Sequence, residues 1–140
     1  MISTARTEWN GDLTSGSGTT TLASGVGTFS VNWKARSEGQ DATTTPEELL
    51  AAAHASCFSM ALSHGLTEAG TPPTSLTTDA RVTFKPGEGI TGIELAVVGV
   101  VPGIDADTFA AAATDAKANC PVSAALRAVP ISLVEAMLAP

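Results

Sequence analysis

The sequence predicts an α+β fold in which antiparallel sheets pack on one long central helix. Strand-like and helix-like stretches come in blocks rather than in strict alternation, the order being strands, long helix, two strands, two helices, strand. The stretch Thr43–Ala69, TTTPEELLAAAHASCFSMALSHGLTEA, reads as a single mostly apolar helix. Ser75–Lys85 and Gly92–Val101 read as two strands joined by the four-residue loop Pro86-Gly87-Glu88-Gly89, a hairpin.

From the N-terminus, Thr7–Trp9 predicts a short strand, Asn10-Gly11-Asp12 a turn and Ser15–Gly18 a Gly/Ser loop. Thr19–Ala23 and Thr28–Lys34 follow as strands on either side of Ser24–Gly27. Phe29, Val31 and Trp33 alternate toward one face, giving an antiparallel meander. A polar loop, Ala35–Thr44, then carries Arg36 into the long helix. Thr45 suits the N-cap of that helix, Pro46 its first position, and Glu48 completes a capping-box spacing. Leu49, Leu50, Ala53, Cys57, Met60, Ala61 and Leu62 cover more than half its circumference, so burial on most faces is expected. Gly70 with Pro72 and Pro73 stops it. Ser75–Lys85 alternates, whereas Gly92–Val101 is nearly all apolar. Pro102-Gly103 connects to a helix over Ile104–Ala118 capped by Asp105. Asn119-Cys120-Pro121 breaks it and opens a short helix over Pro121–Arg127, and Ile131–Met137 is the last strand.

The length of 140 residues suits one domain, 1–140, with a single core. A net charge of −7 with no Lys/Arg cluster argues against nucleic acid and anionic lipid as partners. The first residues hold no apolar signal-like run, and the longest apolar stretch, the 14 residues Leu49–Leu62, is too short to span a bilayer. A soluble, cytoplasmic protein is expected, with its two cysteines as thiols rather than a disulfide framework.

Chemistry concentrates on the long helix. At ~100° per residue Glu47, His54 and Cys57 share one side, but Glu47 and Cys57 lie about 15 Å apart along the axis and cannot touch within one helix. A reactive cysteine works as its thiolate and needs a cation or helix N-terminus to lower its pKa. Cys57 is mid-helix, and the nearest cation in sequence is Arg36, whose planar fork a carboxylate such as Glu47 can hold. The plainer readings are a solvated loop charge for Arg36 and a first-turn carboxylate for Glu47. Cys120, before Pro121, falls at an N-cap where backbone N–H groups can stabilise its thiolate. Both cysteines can equally be small buried apolar residues. His54 reads as a hydrogen-bonded core histidine, with a base as the sharper alternative, and His64 as a partner of the helix C-terminal dipole. Asp105, Asp107 and Asp115 show no metal-ligand spacing with histidine, and Gly25-Val26-Gly27 is not followed by a helix, which argues against a nucleotide loop.

The segments PEELLAAAHASCFSMALS and NCPVSAAL, with WNGD near the start and VPGIDADTF before the second helix, resemble the OsmC branch of the OsmC/Ohr family of thiol peroxidases. The resemblance covers essentially the whole chain. It implies the OsmC-like α+β fold and an intertwined homodimer, with the long helices at its centre and residues of both chains building each of two sites. It further implies that Cys57 is the peroxidatic cysteine, oxidised to a sulfenic acid by a hydroperoxide, and that Cys120 resolves it as a disulfide. Arg36 and Glu47 match the pair that activates the thiolate and polarises the peroxide. Thr45 stands where the family has Asn, and both residues cap helices. Organic hydroperoxides would be preferred over hydrogen peroxide, with Phe58, Met60 and Leu50 expected as an apolar lining. The dithiol would be restored by an external thiol of the lipoyl-dithiol type, with no metal or flavin cofactor. Two other readings stay open: a redox sensor or binding module that does not turn over, and a structural dimer with inert thiols.

Overall fold

Three strands at the N-terminus form an antiparallel meander in the order β1-β2-β3: β1 Ala5–Asn10, β2 Ser17–Leu22 and β3 Thr28–Val31. The computed structural model describes residues 1–39 and 42–140. Asp12 organises the first turn, its carboxylate accepting from the backbone N–H groups of Thr14 and Ser15 at 2.8 and 2.9 Å. β1 runs past the expected Thr7–Trp9 at both ends and β2 stops one residue short at Leu22, while two further limits shift for a visible local reason. Ser17 and Gly18 pair with Asn10 and Trp9, so β2 begins inside the expected loop. β3 ends at Val31 because Asn32 leaves the ladder to cap a helix, its Oδ1 accepting from Ala35 N at 2.7 Å.

That helix, α1 Trp33–Glu38, replaces the end of the expected third strand and the start of the expected Ala35–Thr44 loop. Within that loop, Gln40 and Asp41 lie outside the described residues. Arg36 therefore sits on a helix rather than a loop. Periodicity missed α1 because six residues are too short to establish a helical period, and Trp33 had continued the alternation of Phe29 and Val31.

The long helix is α2, Pro46–Glu68. Thr45 caps it as expected, its Oγ1 accepting from Glu48 N at 3.0 Å, while the Glu48 carboxylate accepts from the Thr44 hydroxyl. At 23 residues α2 is long and apolar enough to cross a bilayer by length and composition, beyond the 14-residue run expected. Here it lies against a sheet, with Phe58, Leu62 and Leu66 spaced four apart in the core. Only this face is buried within the chain, contrary to the expectation of burial on most faces. Ala52, Ala53, Ser56 and Met60 are exposed.

The second sheet has the order β4-β5-β6, from β4 Ser75–Lys85, β5 Gly89–Val100 and β6 Ile131–Leu138. β4 and β5 form the expected antiparallel hairpin, but β6 pairs parallel to β5, correcting the all-antiparallel expectation. The chain leaves β5, passes through α3 Ala106–Asn119 and α4 Pro121–Ala125, and returns in the same direction, as a helical crossover does. α2 and α3 pack on one another and on the sheet. Ile93, Leu95 and Val97 on the central strand β5 are fully buried, and Leu95 and Val97 join Phe58, Leu62, Leu66, Phe109 and Ala113 in one core cluster. Gly99 belongs to the same contact: a Cβ there would stand 2.6 Å from the Phe109 ring.

Candidate active site

The structure brings the four expected site residues together as two pairs. Arg36 on α1 and Glu47 on the first turn of α2 form the first pair. Arg36 Nε donates to Glu47 Oε1 at 3.0 Å and Nη2 to the same oxygen at 2.7 Å. The Glu47 side chain is 7% exposed against 32% for Arg36, so the carboxylate is the buried partner and the guanidinium the open one. Phe84 on β4 adds a second support, its ring centroid 4.3 Å from Arg36 Cζ, and Trp33 meets the same ring edge-on at 6.2 Å. An apolar cleft of about 320 Å³ opens beside the guanidinium, lined by Trp9, Leu13, Val31, Trp33, Pro46 and Leu49. Of the apolar lining expected around Cys57, Phe58 is instead fully buried in the core, while Met60 is exposed.

Cys57 and Cys120 form the second pair. Both are free thiols; Cys57 is half-buried on α2, and Cys120 is fully buried between α3 and α4. Pro121 breaks α3 and fixes Cys120 in extended backbone as the N-cap of α4, as expected. The two thiols lie close enough for each to act on the other's ionisation. Burial pushes the Cys57 thiol up, and its bond to Cys120 pushes it further, against a lowering contribution from the Val122 backbone N–H. Burial also raises Cys120, but hydrogen bonds from Cys57, from the Ser123 and Val122 backbone N–H groups and from the Ser123 hydroxyl outweigh it, and the Cys120 thiol is lowered.

Ten residues of α2, about 15 Å along its axis, separate the Arg36–Glu47 pair from Cys57, so the two pairs do not meet within one chain. His54 is fully buried and hydrogen-bonded as expected, its Nε2 lying 2.7 Å from Ser123 Oγ. Burial lowers its pKa from the ordinary 6.5. His64 is exposed and lies before the last turn of α2, which removes the expected dipole role. Ser123 was not singled out by the sequence, although it stands three residues after the N-cap Cys120, a position that faces back toward the cap. Phe84 carried no local signal, since only the tertiary fold sets β4 under α1. Among the described residues, no group of three or more His, Cys, Asp or Glu side chains is placed to hold a metal ion.

The sequence model of the OsmC-like protein family matches residues 38–134. The chain belongs to this family. Peroxiredoxin OsmC of Escherichia coli strain K12 is 48% identical over 124 residues, covering 86% of each chain. Among solved OsmC/Ohr structures, the Bacillus subtilis organic hydroperoxide resistance protein OhrB aligns at a TM-score of 0.63 and 26% identity, over 97% of this chain and 98% of that one. An organic hydroperoxide resistance protein from Elizabethkingia anophelis gives a TM-score of 0.74 at 24% identity, covering 99% of both chains. Two small sheets with one long helix are therefore the OsmC/Ohr architecture.

Proposed function

We propose that the chain is a thiol-dependent peroxidase for organic hydroperoxides, with hydrogen peroxide a poorer substrate. The observation that carries this reading is the approach of the Cys57 thiol on α2 to the Cys120 thiol at the cap of α4. The Cys57 proton passes to Cys120, and the Cys57 thiolate attacks the terminal peroxide oxygen. The O–O bond breaks, the leaving alkoxide takes that proton from Cys120 and departs as alcohol, and Cys57 becomes a sulfenic acid. The Cys120 thiolate so restored attacks the Cys57 sulfur, an S–S bond forms, the S–O bond breaks, and the departing hydroxide takes a proton from solvent to leave as water. An external dithiol, of the lipoyl type, reduces the disulfide. Peroxiredoxin OsmC, nearly half identical, gives independent support for peroxide chemistry.

The separation of the two pairs calls for a second copy of the chain. In this reading the protein is an intertwined homodimer in the cytoplasm, where its thiols stay reduced. The partner carries its Arg36–Glu47 pair to Cys57, and the apolar cleft beside Arg36 receives the organic part of the peroxide. The exposed Ala52, Ala53 and Met60 of α2 and the wholly exposed strand β1 are surfaces that such a dimer would cover.

The test is consumption of cumene hydroperoxide with a dithiol reductant by wild type and Cys57→Ser, with mass spectrometry after one equivalent of peroxide. A Cys57–Cys120 disulfide and loss of turnover in the variant are expected. Retained turnover in Cys57→Ser removes the nucleophile assignment. One oxidation event without steady-state turnover would favour a redox sensor instead.

A further inference from the structure

A line of buried polar groups runs from α2 into the start of α4. His54 and Ser123 are 0% and 6% exposed, and His54 Nε2 lies 2.7 Å from Ser123 Oγ. Ser123 stands three residues after the N-cap Cys120, a spacing that faces the cap, and its hydroxyl and backbone N–H act to lower the Cys120 thiol. His54 and Ser123 are thus joined to the cysteine pair at its Cys120 end.

The direction of this line follows from the histidine's other nitrogen. His54 Nδ1 is buried without a hydrogen-bond partner. A proton there would be a buried donor with no acceptor, whereas a bare lone pair is the smaller penalty, so the network assigns the proton to Nε2. Nε2–H then donates to Ser123 Oγ. With that oxygen accepting from His54, the hydroxyl proton of Ser123 is left to point at the Cys120 sulfur. A single donor chain results, from the imidazole through the hydroxyl to sulfur, and it ends where negative charge must sit for disulfide formation.

We propose that His54 is a positioning residue for the resolving half-reaction, orienting the Ser123 hydroxyl so that it donates to Cys120 and holds it as the thiolate that attacks the Cys57 sulfenic acid. The step balances without a further reactant. The Cys120 sulfur supplies the electron pair of the new S–S bond, Cys57 sulfur is reduced from sulfenic acid to disulfide level as Cys120 sulfur is oxidised to it, and the departing hydroxide takes a proton from solvent to leave as water. The buried imidazole stays neutral throughout and transfers no proton. This inference rests on the peroxidase reading above and adds to it a group that controls the second step.

Rapid-quench mass spectrometry on the full-length protein separates the two steps, with cumene hydroperoxide as oxidant. Loss of the Cys57 thiol depends on peroxide concentration, and disulfide formation does not. In Ser123→Ala and His54→Leu the disulfide-forming rate should fall about tenfold or more, as expected when a charged sulfur loses a buried donor. Cys57 sulfinic acid should accumulate, because the sulfenic acid then survives to meet a second peroxide. His54→Gln, which retains an N–H donor at a similar reach, should recover most of the rate. Because Ser123→Ala removes one oxygen atom and leaves the core packing in place, it tests the chain even if His54→Leu does not fold. A wild-type disulfide-forming rate in Ser123→Ala, or an equal fall in both steps, overturns the proposal. Absence of any Cys57–Cys120 disulfide in wild type would instead overturn the underlying peroxidase reading.

Discussion

Arg36 Nη2 donates to Glu47 Oε1 at 2.7 Å, tying α1 to the first turn of α2 across eleven residues of chain. The carboxylate is buried and the guanidinium partly open, so the pair presents a fixed cation to whatever enters the adjoining cleft. Lysine at this position keeps the charge but loses the planar fork and its stacking on Phe84. Arg36→Lys should lower kcat/KM for cumene hydroperoxide by about 10²-fold, the scale of losing one aimed donor in a water-poor site. Steady-state assays check this; a variant within threefold of wild type would remove Arg36 from the site.

The 15 Å scale of the gap between Glu47 and Cys57, set by about 1.5 Å of rise per residue, is what the proposed dimer would close by building each site from two chains. Arg36→Leu and Cys57→Ser should each be inactive as homodimers. A purified heterodimer of the two should recover about half of wild-type activity, because one of its two symmetric sites is then complete. If both residues act within one chain, the heterodimer stays inactive.

Burial of neutral His54 makes stability depend on pH. Below its ordinary pKa of 6.5 the unfolded chain takes up a proton that the folded chain resists. The unfolded state therefore binds more protons, and stability falls as pH drops from about 6.5 toward the lowered folded pKa, by at most about 1.4 kcal/mol per pH unit. Urea unfolding at pH 7.5 and 5.5 should show this loss in wild type and a smaller one in His54→Gln. Equal losses would mean that His54 is not the titrating group.

Gly99 faces the fully buried Phe109 ring across the contact between β5 and α3. An added methyl group would stand 2.6 Å from that ring and 3.1 Å from Leu76 Cδ2, and a ring enclosed by the core has little room to turn away. Gly99→Ala should destabilise by about 1–3 kcal/mol, measured by urea unfolding. An unchanged midpoint would show that Phe109 can repack.

Much of this molecule was legible before folding was considered. Thr45, Pro46 and Glu48 marked the start of α2 through capping chemistry local to four residues, and Asp105 did the same for α3, where its side chain accepts from Thr108 N at 2.8 Å. Cys120 at an N-cap followed from the proline after it. The near-continuous apolar run of β5 held a clue to its central place, since a strand covered by neighbours and helices loses its alternation. Its partner's direction was not readable, because parallel and antiparallel neighbours draw on the same side chains.

By itself, the sequence determined the α+β class, the N-terminal caps of α2, α3 and α4 and the family, all of which depend on residues close together in the chain or on matched motifs. Tertiary structure alone decided that β6 runs parallel, that Trp33–Glu38 is helical, and that Phe84 lies beneath Arg36. It also joined His54 to Ser123 across 69 residues and brought Cys57 to Cys120. Such contacts depend on the packing of α2 and α3 over the sheet, and no local periodicity encodes which buried polar groups that packing brings into hydrogen-bond range.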